Sequence, residues 1–302
     1  MLRIAPTVAA ALAEHRPVVA LESTVISHGL PYPRNLEVAR ALEDEVRAAG
    51  AVPATIGVVA GVPTVGLSAA ELEHFAQAHD ILKLARRDIA YAVARKRDGA
   101  TTVAGTMAIA AAAGIAVFAT GGIGGVHRGA ERSWDVSADL TELSRTPVVV
   151  VCAGAKAILD LPATLEQLET LGVPVLGLQT DELPAFYSAS SGLPLPWRVE
   201  TPAEAAAVWR AGQGEGAKLA GGLLLCVPPP ADVALPRGQI DAAIGRALAR
   251  AERAGVRGQA VTPFLLAAMA EETEGESMAT NIALLRQNAR VGAAVARSLL
   301  EY

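Results

Sequence analysis

Short apolar runs rich in Val, Ile and Leu recur at 17–21, 54–60, 115–119, 148–151, 173–178 and 222–227, with no polar residue alternating between them. That pattern predicts strands buried on both faces. Between them, apolar residues return at helical spacing over 35–49, 69–78, 88–96, 138–144, 165–171, 202–211 and 238–254. Strand and helix alternate, so the expected fold class is α/β, a three-layer α/β/α arrangement with a largely parallel (mixed) central sheet. After Thr262-Pro263-Phe264 the pattern changes. It predicts no further strand, only two helices over 264–272 and 278–300 broken at Gly275, the second capped by Thr273 or Ser277. This is a helical C-terminal tail. No internal repeat, low-complexity tract or linker marks a boundary, so a single domain over 1–302 is expected.

Residues 4–13 are apolar behind Arg3 and could imitate a signal peptide. Pro6 interrupts them and charged residues follow at once, which predicts a first amphipathic helix instead. No apolar run reaches the roughly 18–20 residues of a membrane span. With 302 residues, 52% of them hydrophobic, and a mean hydropathy of +0.34, the chain can bury a large core. A net charge of −5 argues against a broad nucleic-acid surface but leaves room for a local pocket holding one phosphate. The expected partners are small molecules, with no nucleic acid and no membrane. Cys152 and Cys226 lie in apolar runs and read as small hydrophobes, which suits a reducing, cytoplasmic location.

Within this apolar background one amine stands out. Lys156 follows Val148-Val149-Val150-Val151-Cys152-Ala153-Gly154-Ala155, so an apolar strand, a Gly-containing turn and a helix start deliver it to the carboxyl end of a buried strand. Open α/β sheets place ligands there. Only four of the 26 basic residues are Lys, leaving 22 Arg. A desolvated Lys can supply a neutral amine, which Arg cannot. Position alone also allows a carbonyl-capping or snorkelling role.

Three further stretches carry candidate chemistry. Residues 120–139 hold five glycines within 121–129, then His127, Arg128, Asp135, Ser137 and Asp139. Such a loop allows close backbone approach to a ligand. Asp135 and Asp139, four apart, would share a helical face as hard ligands for Mg²⁺ or Mn²⁺, unless Ser137 or Asp139 serves as a helix cap. Glu22, ending the strand at 17–21, would be desolvated and so suited to acid catalysis, or else paired to an Arg. His28 beside Gly29 reads as a loop hydrogen-bonder. Thr101-Thr102-Val103-Ala104-Gly105-Thr106, ahead of an apolar helix over 107–113, offers hydroxyls and amides suited to a phosphate or a sugar hydroxyl, while 95–97 reads as a solvated charge run.

Five segments together resemble the indigoidine synthase A-like family of pseudouridine-5′-phosphate glycosidases: ALESTVISHGLPYPRN (20–35), TTVAGTM (101–107), FATGGIGGVHRGAERSWDVSADL (118–140), VVVCAGAKAILDLPATLEQLETLGVPVLG (149–177), and TPFLL with the later NIALLRQNA (262–289). The resemblance spans almost the whole chain. It implies reversible cleavage of the carbon–carbon glycosidic bond of pseudouridine 5′-phosphate to uracil and ribose 5-phosphate, with one Mn²⁺ per subunit and a homotrimeric assembly. Lys156 matches the family nucleophile and Glu22 the proton donor. Asp135 matches the metal ligand, and Lys83, Val103, Ser137, Ala138 and Asp139 match substrate-binding positions. A sugar kinase and a non-catalytic phosphosugar-binding module remain as competing readings, although no GxxxxGK[ST] loop is present. Borohydride trapping with ribose 5-phosphate separates them from a Schiff-base enzyme.

Overall fold

The computed structural model describes residues 1–214, 221–256 and 261–301, so Lys218 lies outside the described residues. The strands are β1 (Arg3–Ile4), β2 (Val18–Leu21), β3 (Val52–Val59), β4 (Val62–Val65), β5 (Leu82–Leu84), β6 (Gly99–Thr101), β7 (Val117–Ala119), β8 (Val149–Cys152), β9 (Val175–Leu178), β10 (Trp197–Val199) and β11 (Leu223–Cys226). They form one connected sheet in the order β1-β4-β3-β2-β7-β8-β11-β9-β10, with β6 also on β3 and β5 on β6. From β3 to β10 every neighbouring pair on this path is parallel. The antiparallel pairs are β3 with β4 and β3 with β6, as expected of a mixed sheet.

β3 joins two parts of this sheet. Its residues 52–55 pair with β2, and its residues 56–59 turn onto β4 while Gly57 and Val58 also meet β6. Each of the six expected strands is present, with no end shifted by more than two residues. The sequence pattern missed β1, β4, β5, β6 and β10. Each has only two to four residues, too few to show a period of their own, and pairing with neighbouring strands holds them extended.

The helices are α1 (Pro6–Ala13), α2 (Thr24–Ser27), α3 (Arg34–Ala48), α4 (Ala69–Gln77), α5 (Arg86–Ala94), α6 (Val103–Ala112), α7 (Ala130–Ser133), α8 (Ala138–Leu143), α9 (Leu161–Thr170), α10 (Pro202–Gln213), α11 (Arg237–Arg253), α12 (Val261–Glu272) and α13 (Glu276–Ser298). Pro6 opens α1 instead of breaking it, because the first helical residue needs no amide proton. α9 begins earlier than its apolar spacing suggested. Asp160 caps it by accepting from the Ala163 amide at 3.0 Å. In the tail, neither expected residue is the N-cap of α13: that position is Gly275, in a left-handed conformation (φ 88°), while Thr273 Oγ1, two residues earlier, accepts from the Ser277 amide at 3.1 Å.

α13 lies across β2, β7 and β8 and packs on α3 and α10, while α6 packs with α5 and α8 against the sheet. Helices thus cover both faces, with Val19, Phe118, Val150 and Leu224 fully buried in the strands between. Burial of each such side chain contributes about 1.5–3 kcal/mol. The chain visits β3 on one side of β2 and β7 on the other, so the strand order reverses at β2. A crevice opens there beyond the carboxyl ends of the parallel strands. Among the described residues no helix is long and apolar enough to cross a membrane.

Candidate active site

β2, β7 and β8 lie side by side and parallel, so the residues that follow them emerge at one edge: Glu22 after β2, Thr120 after β7, and the turn carrying Lys156 after β8. The smaller part of the sheet adds Lys83 from β5 and the amino end of α6 from β6. These residues border two adjoining cavities. Glu22, Thr24, Lys83 and Lys156 line both.

One cavity, of about 400 Å³, is polar and brings together every residue singled out by the resemblance: Glu22, Lys83, Val103, Asp135, Ser137, Ala138, Asp139 and Lys156. The other is a more apolar slot between Val25, Phe186, Leu266 and Leu285, with His28 and Asn281 as polar groups. The C-terminal tail supplies one wall of it. That role had no signature beyond the TPFLL segment, which supplies Pro263 and Leu266, and the NIALLRQNA segment, which supplies Asn281 and Leu285.

Among the described residues Glu22 has no Arg partner. Its carboxylate accepts from the Thr120 hydroxyl, and Asn288 on α13 holds the Thr120 carbonyl oxygen at 2.8 Å. Burial raises the Glu22 pKa above the usual carboxyl range, opposed by the charge of Lys156 and then by the Thr120 hydrogen bond. Lys83 moves the other way: burial first, and the facing Lys156 charge next, lower its pKa. A carboxyl whose neutral form is favoured by burial therefore stands beside two amines, and the charge of Lys156 favours the neutral form of Lys83. Thr120 and Asn288 were not assigned from sequence, although Thr120 begins the Gly-rich loop and Asn288 lies in the same tail segment.

Lys156 does not sit at a helix start. α9 begins at Leu161, and residues 153–160 run as a turn whose Ala155 bridges Ile123 and whose Lys156 amide donates to the Ile123 carbonyl at 3.1 Å. Gly154 makes the turn possible. Its φ is +80°, and a Cβ there would meet the Pro184 carbonyl oxygen at 2.4 Å.

The Gly-rich loop packs mainly on its own chain. A Cβ on Gly124 would meet Ser137 Oγ at 2.3 Å and Asp139 Oδ2 at 2.8 Å, so this glycine lets the loop close on the start of α8. Asp139 is buried and clasps two segments: Oδ1 accepts from the Ala104 amide at 2.9 Å and Oδ2 from the Gly124 amide at 2.8 Å. Ser137 caps α8, accepting from the Asp139 amide at 3.3 Å. Thr102 likewise caps α6, accepting from the Gly105 amide at 3.4 Å. With these amides taken, those of Val103 and Ala138 have no hydrogen-bond partner among the described residues. Two helix starts thus leave amides beside the polar cavity, a setting that favours an anion.

The expected Asp135–Asp139 pair on one helical face does not form. Val126 and Val136 make an antiparallel bridge and the His127 amide donates to the Asp135 carbonyl at 3.0 Å, so Asp135 lies in extended backbone before α8 starts at Ala138. Its half-exposed carboxylate stands 3.9 Å from His127 Nδ1. Among the described residues no three His, Cys, Asp or Glu side chains converge on a common metal position. One carboxylate still fits an ion that keeps most of its water and takes further oxygens from a ligand, as Mg²⁺-like ions do.

The family described as Indigoidine synthase A like protein matches residues 7–298. A pseudouridine-5′-phosphate glycosidase of Herpetosiphon aurantiacus is 66% identical over 300 residues, covering 99% of this chain and 98% of that protein. One of Chloroflexus aurantiacus is 67% identical over 303 residues, covering 100% and 99%. Among solved structures, the prealnumycin C-glycosynthase AlnA in complex with ribulose 5-phosphate superposes with a TM-score of 0.91 at 42% identity, covering 99% of this chain and 97% of that one. An indigoidine synthase A-like protein of Thermotoga maritima gives 0.88 at 36% identity, covering 95% and 94%.

Proposed function

The chain belongs to the indigoidine synthase A-like protein family, an enzyme family by the names of its relatives, and on that premise we propose that it reversibly cleaves the C-glycosidic bond of pseudouridine 5′-phosphate to uracil and ribose 5-phosphate. The observation that carries this reading is the wall of Glu22, Lys83 and Lys156 shared by a polar cavity with unpartnered helix-start amides and a smaller, more apolar slot. A sugar phosphate suits the first and a planar base the second. The reacting bond then lies at the wall itself.

A carbon-linked base leaves poorly, so the two-carboxylate oxocarbenium route is unfavourable. In our reading Glu22 gives its proton to the ring oxygen as the C1′–O4′ bond opens, and the Lys156 amine bonds to C1′. The proton lost by that amine returns to Glu22. The amine lone pair then forms C=N as the C1′–C5 bond breaks, and the bond electrons leave on uracil C5, which takes a proton from Glu22. Water adds to the iminium and releases ribose 5-phosphate and free Lys156. Lys83, whose pKa is lowered, is suited to accept the proton that frees Lys156 for attack.

The amides of Val103 and Ala138 would hold phosphate or sugar oxygens. Asp135 would hold a Mn²⁺ completed by water and ligand oxygens, which when bound supplies positive charge against the sugar phosphate. A homotrimer with one such ion per subunit belongs to the same proposal. A neighbour named for making a C-glycosyl bond favours reversibility. Incubation with pseudouridine 5′-phosphate and Mn²⁺ should release uracil. A folded, metal-supplied protein that releases none would overturn the proposal.

A further inference from the structure

Two neighbouring arginines open α5, and the fold itself uses only one of them. Arg86 Nη1 donates to Glu142 at 2.8 Å and to the Thr146 hydroxyl at 3.4 Å, which ties the start of α5 to the end of α8 around a fully buried carboxylate. Arg87 makes no such contact. Its side chain is 78% exposed, and its one ionic neighbour is Asp88, whose Oδ1 lies 3.5 Å from Nε. The two terminal nitrogens of its guanidinium have no partner among the described residues.

Backbone pairing sets where that free fork stands. The Thr102 amide donates to the Leu84 carbonyl at 2.9 Å, so the first turn of α5 lies beside the first turn of α6. Asp88 Oδ2 accepts from the Ala85 amide at 3.0 Å, which fixes the carboxylate that stands against Arg87 Nε. Ala85, Arg87, Asp88, Thr102 and Val103 thereby line the polar cavity together with Ala138. Charge decides what suits the fork. Glu22, Asp88, Asp135 and Asp139 line this cavity against Lys83, Arg87 and Lys156, and the two lysines already interact with Glu22 and with each other. A phosphate monoester carries a charge of about −1.5 to −2 near pH 7. Among four carboxylates the neutral amides of Val103 and Ala138 hold it poorly on their own, whereas a planar guanidinium presents two parallel N–H groups to two of its oxygens.

We propose that Arg87 is a specificity-determining residue whose terminal nitrogens close over the 5′-phosphate from the rim of the polar cavity, making that group a condition of tight binding. This rests on the reading above, that the polar cavity holds the sugar phosphate. A ribose without phosphate gives the fork nothing to hold, so it gains only the contacts made deeper in the cavity.

The test compares substrates with and without the phosphate. Arg87→Ala should raise KM for pseudouridine 5′-phosphate, and for ribose 5-phosphate in the synthetic direction, about tenfold, the low end for a hydrogen bond to a charged group. KM for uracil should rise much less. The preference for ribose 5-phosphate over ribose in borohydride trapping should narrow by the same factor, and inorganic phosphate should compete less well than it does in wild type. Arg87→Lys keeps the charge but loses the fork, so it should recover only part of the affinity. Arg95→Ala removes the same charge from the exposed far end of α5 and should bind as wild type does, which controls for long-range attraction. A wild-type KM for ribose 5-phosphate in Arg87→Ala, full recovery in Arg87→Lys, or an equal loss in Arg95→Ala overturns the assignment while leaving the reaction standing. A wild-type protein that neither releases nor joins uracil overturns the reaction, and the competition between inorganic phosphate and ribose 5-phosphate then decides the assignment by itself.

Discussion

Asp139 offers the sharpest test, because the structure gives it a job apart from direct contact with a ligand. Its buried carboxylate accepts from the Ala104 amide at 2.9 Å and the Gly124 amide at 2.8 Å, tying the start of α6 to the Gly-rich loop. Hydrogen bonds to a charged group contribute about 1.5–3 kcal/mol each. Asp139→Ala removes both and strands two amides, a loss of about 3–5 kcal/mol. Unfolding entropy near 2.1 cal/mol/K per residue gives about 0.6 kcal/mol/K for this length, so Tm should fall by roughly 5–8 °C. Asp139→Asn keeps one acceptor and should lose about half as much. Because the clasp sets the register of the Val103 and Ala138 amides, KM for the phosphorylated substrate should rise in both variants. Thermal melts followed by circular dichroism, with KM for pseudouridine 5′-phosphate measured alongside, provide the readout. A variant that melts within about 1 °C of wild type refutes the clasp. If it also loses substrate affinity, Asp139 acts on the ligand directly.

Lys156→Ala and Lys156→Arg should both abolish turnover with the fold intact, and mass spectrometry after reduction with ribose 5-phosphate should place the adduct on Lys156, an adduct on Lys83 being the contrary result. Since burial raises the Glu22 pKa, its acid form persists above the usual carboxyl range and uracil release should decline only as pH rises through that raised value. Glu22→Gln should be about 10²-fold slower and lack this limb. Thr120→Val removes a bond that favours the carboxylate, so it should move the limb to higher pH; a limb that stays put removes Thr120 from the site. The same raised pKa means that the stability Glu22 contributes is fully present below the unfolded carboxyl value and is lost as pH rises through the folded one. Glu22→Gln should therefore flatten the pH dependence of stability and melt higher than wild type near pH 7. Asp135→Ala should lose Mn²⁺ dependence and most activity, whereas an unchanged wild-type rate after chelation would remove the metal from the mechanism.

The sequence by itself determined the layers of this protein and the position of its central amine. Val148-Val149-Val150-Val151 can only be a strand covered on both faces, so whatever follows it must emerge at a sheet edge. The same logic places Glu22 at that edge after β2. The resemblance then named the residues that line the polar cavity, several of which, such as Val103 and Ala138, offer unpartnered backbone amides that side-chain reading cannot detect.

Only the tertiary structure decided how those residues meet. β5 is three residues long and has no legible period, yet its pairing with β6 is what carries Lys83 to face Lys156. Asp135 and Asp139 are four apart in either description, but the Val126–Val136 bridge puts one in extended backbone and the other on a helix. Helical spacing is a statement about local period, and a pairing across ten residues overrides it. The apolar slot is the extreme case, since α12 and α13 come from the far end of the chain to close it, and Asn288 reaches 168 residues back to hold Thr120. Local pattern reports which face of an element is buried. Which distant element covers that face, and which polar atoms are left without partners once it does, is settled only by packing.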